Sequence, residues 1–95
     1  MRRAARIDAN QRIIVKVLRL MGYSVAITSA VGKGFPDIVV GTGKKNFLFE
    51  IKDGNKYASQ QKLTLAEQEF SDSWKGQYHV ITCLDDAIKI INSTD

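Results

Sequence analysis

The chain has little of what usually announces a specialised class of protein. Its 95 residues contain a single cysteine, so no internal disulfide can form. Cys83 follows an apolar stretch and reads as a small buried side chain rather than a nucleophile. No apolar run approaches the roughly 18 to 20 residues that cross a bilayer, and the basic start leads into an amphipathic segment instead of a signal-peptide core. The expectation is a cytoplasmic protein with no membrane partner. The one histidine, His79, is flanked by apolar residues and reads as structural.

Two nucleotide-binding signatures are also missing. No G-x-G-x-x-G opens a helix, which removes a dinucleotide-binding domain. The run Gly41, Thr42, Gly43, Lys44 suggests a P-loop only superficially. That motif needs glycine where Ile38 stands and Ser or Thr where Lys45 stands, and it must precede a helix. No internal repeat or low-complexity segment is found either.

What is present is ordinary in bulk: 44% apolar and 25% charged residues, enough for one packed core and one domain over residues 1–95. The net charge of +4 gathers at Arg2, Arg3 and Arg6 and at Lys33, Lys44, Lys45 and Lys56 in expected loops. Such a distribution suits an anionic partner, although the same charge also serves solubility.

Residues 8–21 repeat Ile14, Val17, Leu18 and Met21 at helical spacing, with Arg12, Lys16 and Arg19 on another stripe and Gly22 as the stop. Alternating Tyr23, Val25 and Ile27 predict a strand over 23–28, followed by a loop containing Gly32 and Gly34. Pro36 suits a strand start, so 37–42 and 47–52 read as a β-hairpin around a turn at 43–46. Thr64 with Glu67 three residues on is a capping box. It opens a helix to about residue 75, with Ala66, Phe70 and Trp74 as its apolar stripe and Gly76 as its stop. A fourth strand over 77–83 and a helix carrying Leu84, Ala87, Ile88 and Ile91 complete an αβββαβα order.

The returning hairpin strand carries chemistry. Phe47, Phe49 and Ile51 share one face, while Glu50 and Lys52 project from the other, at the end of a strand apolar enough for the middle of a sheet. With Lys44 and Lys45 as the loop, Asp37 comes opposite Lys52, and Asp37, Glu50 and Lys52 emerge on one side. Two close carboxylates repel unless something positive sits between them, and a hard divalent cation, Mg²⁺ or Mn²⁺, meets that need. Lys52 beside them would orient or deprotonate a water, or stabilise transition-state charge, a combination suited to phosphodiester hydrolysis. The plainer reading is a cross-strand ion network. Gly32, Lys33 and Gly34 ahead of Asp37 add backbone amides and a cation that suit a phosphate, or simply make a turn.

Gly34, Phe35, Pro36 and Asp37, with twelve intervening residues before Glu50, Ile51 and Lys52, resemble the PD-(D/E)xK nuclease signature. More narrowly, DANQ at 8–11, GKGFPD at 32–37, EIKDG at 50–54 and LTLAEQ at 63–68 are similar to the small stand-alone VRR-NUC proteins of phages and prophages. The resemblance implies a restriction-endonuclease-like α/β core with a central four-stranded mixed sheet flanked by helices. It implies metal binding through Asp37, Glu50 and the Ile51 carbonyl, with Lys52 as the catalytic lysine. It further implies action on branched or flapped DNA in a bacterial host cytoplasm, as a homodimer. Arg2, Arg3, Arg6, Lys33 and Lys56 would hold the flanking DNA backbone.

Similar proteins usually carry a glutamate in the first helix, shortly after the Asn-Gln pair, where Arg12 and Ile13 stand here. Asp8 or Gln11 would substitute, and Gln11 reads equally well as a surface helix residue. Gln60, with Ser59, is a further auxiliary candidate. Glu67 reads first as the capping partner of Thr64. The rival function is a noncatalytic DNA-binding or assembly module that keeps a nuclease-like fold.

Overall fold

The computed structural model describes residues 9–53 and 62–93. Arg2, Arg3, Arg6, Asp8, Lys56, Ser59 and Gln60 lie outside the described residues. The elements run α1 (Ala9–Leu20), β1 (Ser24–Ile27), β2 (Ile38–Gly41), β3 (Asn46–Ile51), α2 (Leu65–Ser73), β4 (Tyr78–Ile81) and α3 (Leu84–Ser93). Among the described residues the expected α/β class and element order are both found.

The strands form one sheet in the order β1-β2-β3-β4. The β1-β2 and β2-β3 pairs are antiparallel, and β4 joins β3 in parallel after the α2 crossover, which makes the sheet mixed. β3 lies in the interior of the sheet, which accounts for its apolar run from Phe47 to Ile51.

One face of the sheet carries Ile38, Val40, Phe47, Phe49, Ile51 and Ile81, which pack against Ile14, Val15 and Leu18 of α1 and Ala87 and Ile91 of α3. Burying these side chains is the main source of stability, at roughly 1.5 to 3 kcal/mol for each large one. The α1 stripe is rotated from the expected one: Val15 is buried and Met21 is exposed. Met21 lies in the turn beyond the helix, where Gly22 at φ 96° closes a Schellman arrangement, with Gly22 N–H to Arg19 and Tyr23 N–H to Leu18.

Three other expectations need correction. The hairpin loop spans four residues, 42–45, so Gly41 pairs with Asn46 and Ile38 with Phe49. That register, continued one residue beyond β2, brings Asp37 level with Glu50, not Lys52. The Thr42 hydroxyl accepts from the Lys44 and Lys45 amides and draws Thr42 into the turn. The slip is two residues, an even number, so every side chain keeps its expected face. Gly76 is not the stop of α2, because the helix ends at Trp74 in an extended conformation. Cys83 is exposed, because β4 ends at Ile81 and leaves it in the turn before α3.

α2 sits on the opposite face from α1 and α3 and buries none of its residues. Its apolar stripe therefore does not reach the main core: Ala66 is exposed, and Phe70 stacks on Trp74, meets Phe35 edge-to-face and lies at a tilt against Tyr78. What holds this short helix is the capping box, this aromatic cluster and one ion pair to Lys52.

Candidate active site

Asp37, Glu50 and Lys52 emerge on the α2 side of the sheet, as their strand parity requires. Asp37 stands immediately before β2 and is fixed from three directions. Its N–H donates to Phe49 O at 3.1 Å, its carbonyl accepts from Thr28 N at 2.8 Å, and its Oδ2 accepts from Ile51 N at 2.8 Å. Buried Pro36 holds the chain at that entry, with its carbonyl accepting from Thr28 Oγ1 at 2.7 Å. The aspartate and the strand carrying the glutamate are thus tied together by the aspartate itself.

Glu50 is only 3% exposed although it is an ionisable acid, and its carboxyl neighbours that of Asp37. Its Oε2 lies 3.6 Å from Lys52 Nζ, while its buried Oε1 has no hydrogen-bond partner. Burial, reinforced by the Asp37 charge and by Glu67, pushes the Glu50 carboxyl up to about 9. Asp37 is also raised, chiefly by burial, with the Ile51 amide opposing. Near neutral pH Glu50 therefore holds a proton, because the pocket lacks enough positive charge to support both carboxylates.

Lys52 bridges two acids. Its ammonium donates to Glu67 Oε1 at 2.9 Å, and that same oxygen accepts from the Thr64 amide at 2.8 Å. Glu67 is accordingly both the capping residue and a member of the site. Burial favours neutral Lys52, but the pairs with Glu67 and Glu50 outweigh it and hold its pKa above the usual lysine value. Lys52 and the Thr64 amide in turn outweigh burial at Glu67 and lower its pKa.

Tyr78 was not singled out by sequence reasoning. It pairs with Leu48 in the register and faces the carboxylates, with a buried hydroxyl that lacks a partner. Burial, then the charges of Glu50, Glu67 and Asp37, push it up to about 12. The signal in the sequence was its parity in β4, opposite to that of His79. His79 lies on the core face beside Phe47 and Phe49, and burial lowers its pKa, as suits a structural histidine.

Gln11 is buried at 4% exposed, which corrects its reading as a surface residue. Its Nε2 donates to Ser29 Oγ at 2.9 Å, and Ser29 Oγ in turn lies 3.4 Å from Asp37 O. It therefore supports the aspartate backbone from behind. Ile13 is 57% exposed. Lys33 is exposed in a left-handed conformation (φ 57°) between Gly32 and Gly34, a few residues ahead of Asp37.

Among the described residues, no group of three or more His, Cys, Asp or Glu side chains is gathered to hold a metal. The donor set is smaller: two carboxylates and the adjoining Ile51 carbonyl. That set fits Mg²⁺ or Mn²⁺, which commonly take one or two protein carboxylates and leave the remaining positions to water and phosphate. The orphaned Glu50 Oε1 and the elevated Glu50 pKa are what a cation would relieve.

A groove of about 500 Å³ lined by Arg12, Val15, Lys16, Arg19, Leu20 and Ile27 lies between α1 and the edge strand β1. It holds no acid and stands apart from the carboxylates. Among the described residues, no helix is long and apolar enough to cross a membrane. No family model, curated protein or solved structure matches this chain.

Proposed function

We propose that the chain is a Mg²⁺- or Mn²⁺-dependent phosphodiesterase of the PD-(D/E)xK type, related to the VRR-NUC nucleases. Its restriction-endonuclease-like core would cleave branched or flapped DNA as a homodimer. The observation that carries the reading is the pair of neighbouring acids Asp37 and Glu50 on adjacent chain segments, with a buried Glu50 oxygen left without a partner and Lys52 alongside.

A bound divalent cation supplies charge neutralisation for a phosphodiester and its transition state. Asp37 and Glu50 would hold it, together with the Ile51 carbonyl. Asp37 is positioned by the Ile51 amide, so the two strands cannot drift apart without losing that bond. Lys52 keeps its proton more tightly than usual, so it acts as a charged donor to the phosphate or to the attacking water, and not as the base. Glu67 steers Lys52 toward that position. Lys33 and the basic residues before α1 would contact phosphates, which position a duplex without reading its bases.

A noncatalytic DNA-binding module is favoured by one observation, the exposed Ile13 in the region where the resemblance expects a glutamate. Labelled linear, flapped and four-way DNA, incubated with Mg²⁺ or Mn²⁺, separates the two readings. The nuclease reading expects metal-dependent cutting that falls at least about 100-fold in Glu50→Gln and Lys52→Ala, as removal of a group that stabilises transition-state charge does. Binding without cutting, equal in wild type and both variants, would establish the noncatalytic module instead.

A further inference from the structure

We infer that the open face of the Trp74 indole is a stacking platform for an unpaired base of the DNA strand that enters the Lys52 site. The inference rests on the nuclease reading above and gives it a physical means of telling single-stranded from paired DNA.

Tryptophan is usually well buried, yet Trp74, the only one in the chain, is 42% exposed. One face of its ring is covered by Phe70, stacked at 5.2 Å and 16°. Gly76 lies against the indole nitrogen, so close that a Cβ there would come within 2.9 Å of Nε1. The ring is thus held from behind and along one edge, and its other face is left to solvent. A side chain fixed in this way loses little freedom when a ligand stacks on it.

The platform is continuous with the candidate site. Glu67, Phe70 and Trp74 follow one another at i, i+3 and i+7, on the side of α2 that meets the sheet. Glu67 holds Lys52, and the indole stands about 10 Å farther along, at roughly 1.5 Å per residue. The surface between them is aromatic and apolar. Phe70 tilts against Tyr78 at 5.7 Å, and Val80, on the same face of β4, is 43% exposed and pairs with Glu50. Such a run suits the flat faces of bases better than phosphates. Lys75, exposed beside the indole and in no ion pair among the described residues, supplies a cation for the strand's backbone. Asp72, an acid close in sequence, is held by Gln68 Nε2 at 2.9 Å on another side of the helix.

A base inside a duplex has both faces covered by its neighbours, so only an unpaired or splayed nucleotide can use this ring. Stacking asks nothing of the base edges, so the platform reads strandedness and not sequence.

The test follows the emission of Trp74, which is the chain's whole tryptophan signal. With EDTA present to prevent cutting, a short oligothymidylate, an abasic strand of the same length and charge, and a blunt duplex are titrated in turn. Anisotropy of a dye on the DNA follows binding separately. The oligothymidylate is expected to quench Trp74 saturably, and the abasic strand and the duplex to leave it unchanged. Trp74→Ala should bind the oligothymidylate about 5- to 150-fold more weakly, the effect of losing one stacked base. Trp74→Phe, which keeps a ring on Phe70, should retain most of the affinity. Equal quenching by the abasic strand would overturn the inference, and so would oligothymidylate binding that leaves the emission unchanged, or no binding to single strands at all. These outcomes are read on wild type, so they stand even if a variant fails to fold. Base-dependent quenching in a protein that never cuts DNA with Mn²⁺ would keep the platform and remove the catalytic reading. Metal-dependent cutting without such quenching would remove the platform alone.

Discussion

Glu50 is where the competing energies are most visible. A carboxylate buried beside another carboxylate keeps its proton, and its pKa of about 9 lies well above the usual glutamate value of 4.5. Between those values the folded metal-free protein holds a proton that the unfolded chain has released, so stability should fall as pH rises from about 4.5 to about 9. Glu67 acts in the other direction at acid pH: its lowered pKa gives stability that is lost as pH drops through it. Urea unfolding across this range should therefore show a maximum on the mildly acidic side. Glu50→Gln, which mimics the protonated acid, should flatten the alkaline limb and exceed wild type at pH 8. A wild-type stability that rises from pH 6 to pH 8 would contradict this account of the pocket.

The same residue shows what the sequence could tell. The alternation of Phe47, Phe49 and Ile51 against Glu50 and Lys52 placed the charges on one face, and the face was right even with the register two residues off. Parity survives an even slip, whereas a pairing partner does not. The side-chain bonds of the Thr42 hydroxyl in the turn, which decide the register, are local geometry that residue spacing does not encode. Tyr78 escaped notice because its partner in space comes from a parallel pairing made only after the α2 crossover. Gln11 was legible as a polar helix residue, but its burial depends on how α1 is rotated against the sheet.

At the scale of elements, α2 is the least secured part. Nine residues make a helix too short to stand alone, and none of them is buried. The capping box was readable as Thr64 and Glu67, but not that the same Glu67 oxygen would also hold Lys52. The helix and the site consequently stabilise each other. Gly34 makes the second tie: at φ 81° it approaches α2 so closely that a Cβ would run into the Ala66 carbonyl. Gly34→Ala should cost at least about 1 kcal/mol from the left-handed conformation alone. It should also displace α2 from Lys52. Denaturant unfolding checks the first effect, and loss of Phe35–Phe70 ring contacts by NMR checks the second. A variant as stable as wild type, with those contacts intact, would show that the approach is not required.

For the molecule as a whole, the sheet divides the labour. One face supplies the core with α1 and α3, and the other supplies the candidate chemistry with α2 above it. The α/β class and element order were legible because hydrophobic period changes cleanly from helical to alternating along the chain. The basic groove between α1 and β1 was not, because it joins residues from two elements across the edge of the sheet. The claim on which the rest depends is that the opposed carboxylates form a cation site. Calorimetric titration of Mn²⁺ into the protein at pH 7, in two buffers of different ionisation enthalpy, tests it directly. The account predicts binding with release of about one proton, since Glu50 must ionise to bind, and loss of that binding in Glu50→Gln. No binding, or binding that Glu50→Gln leaves intact, would contradict it.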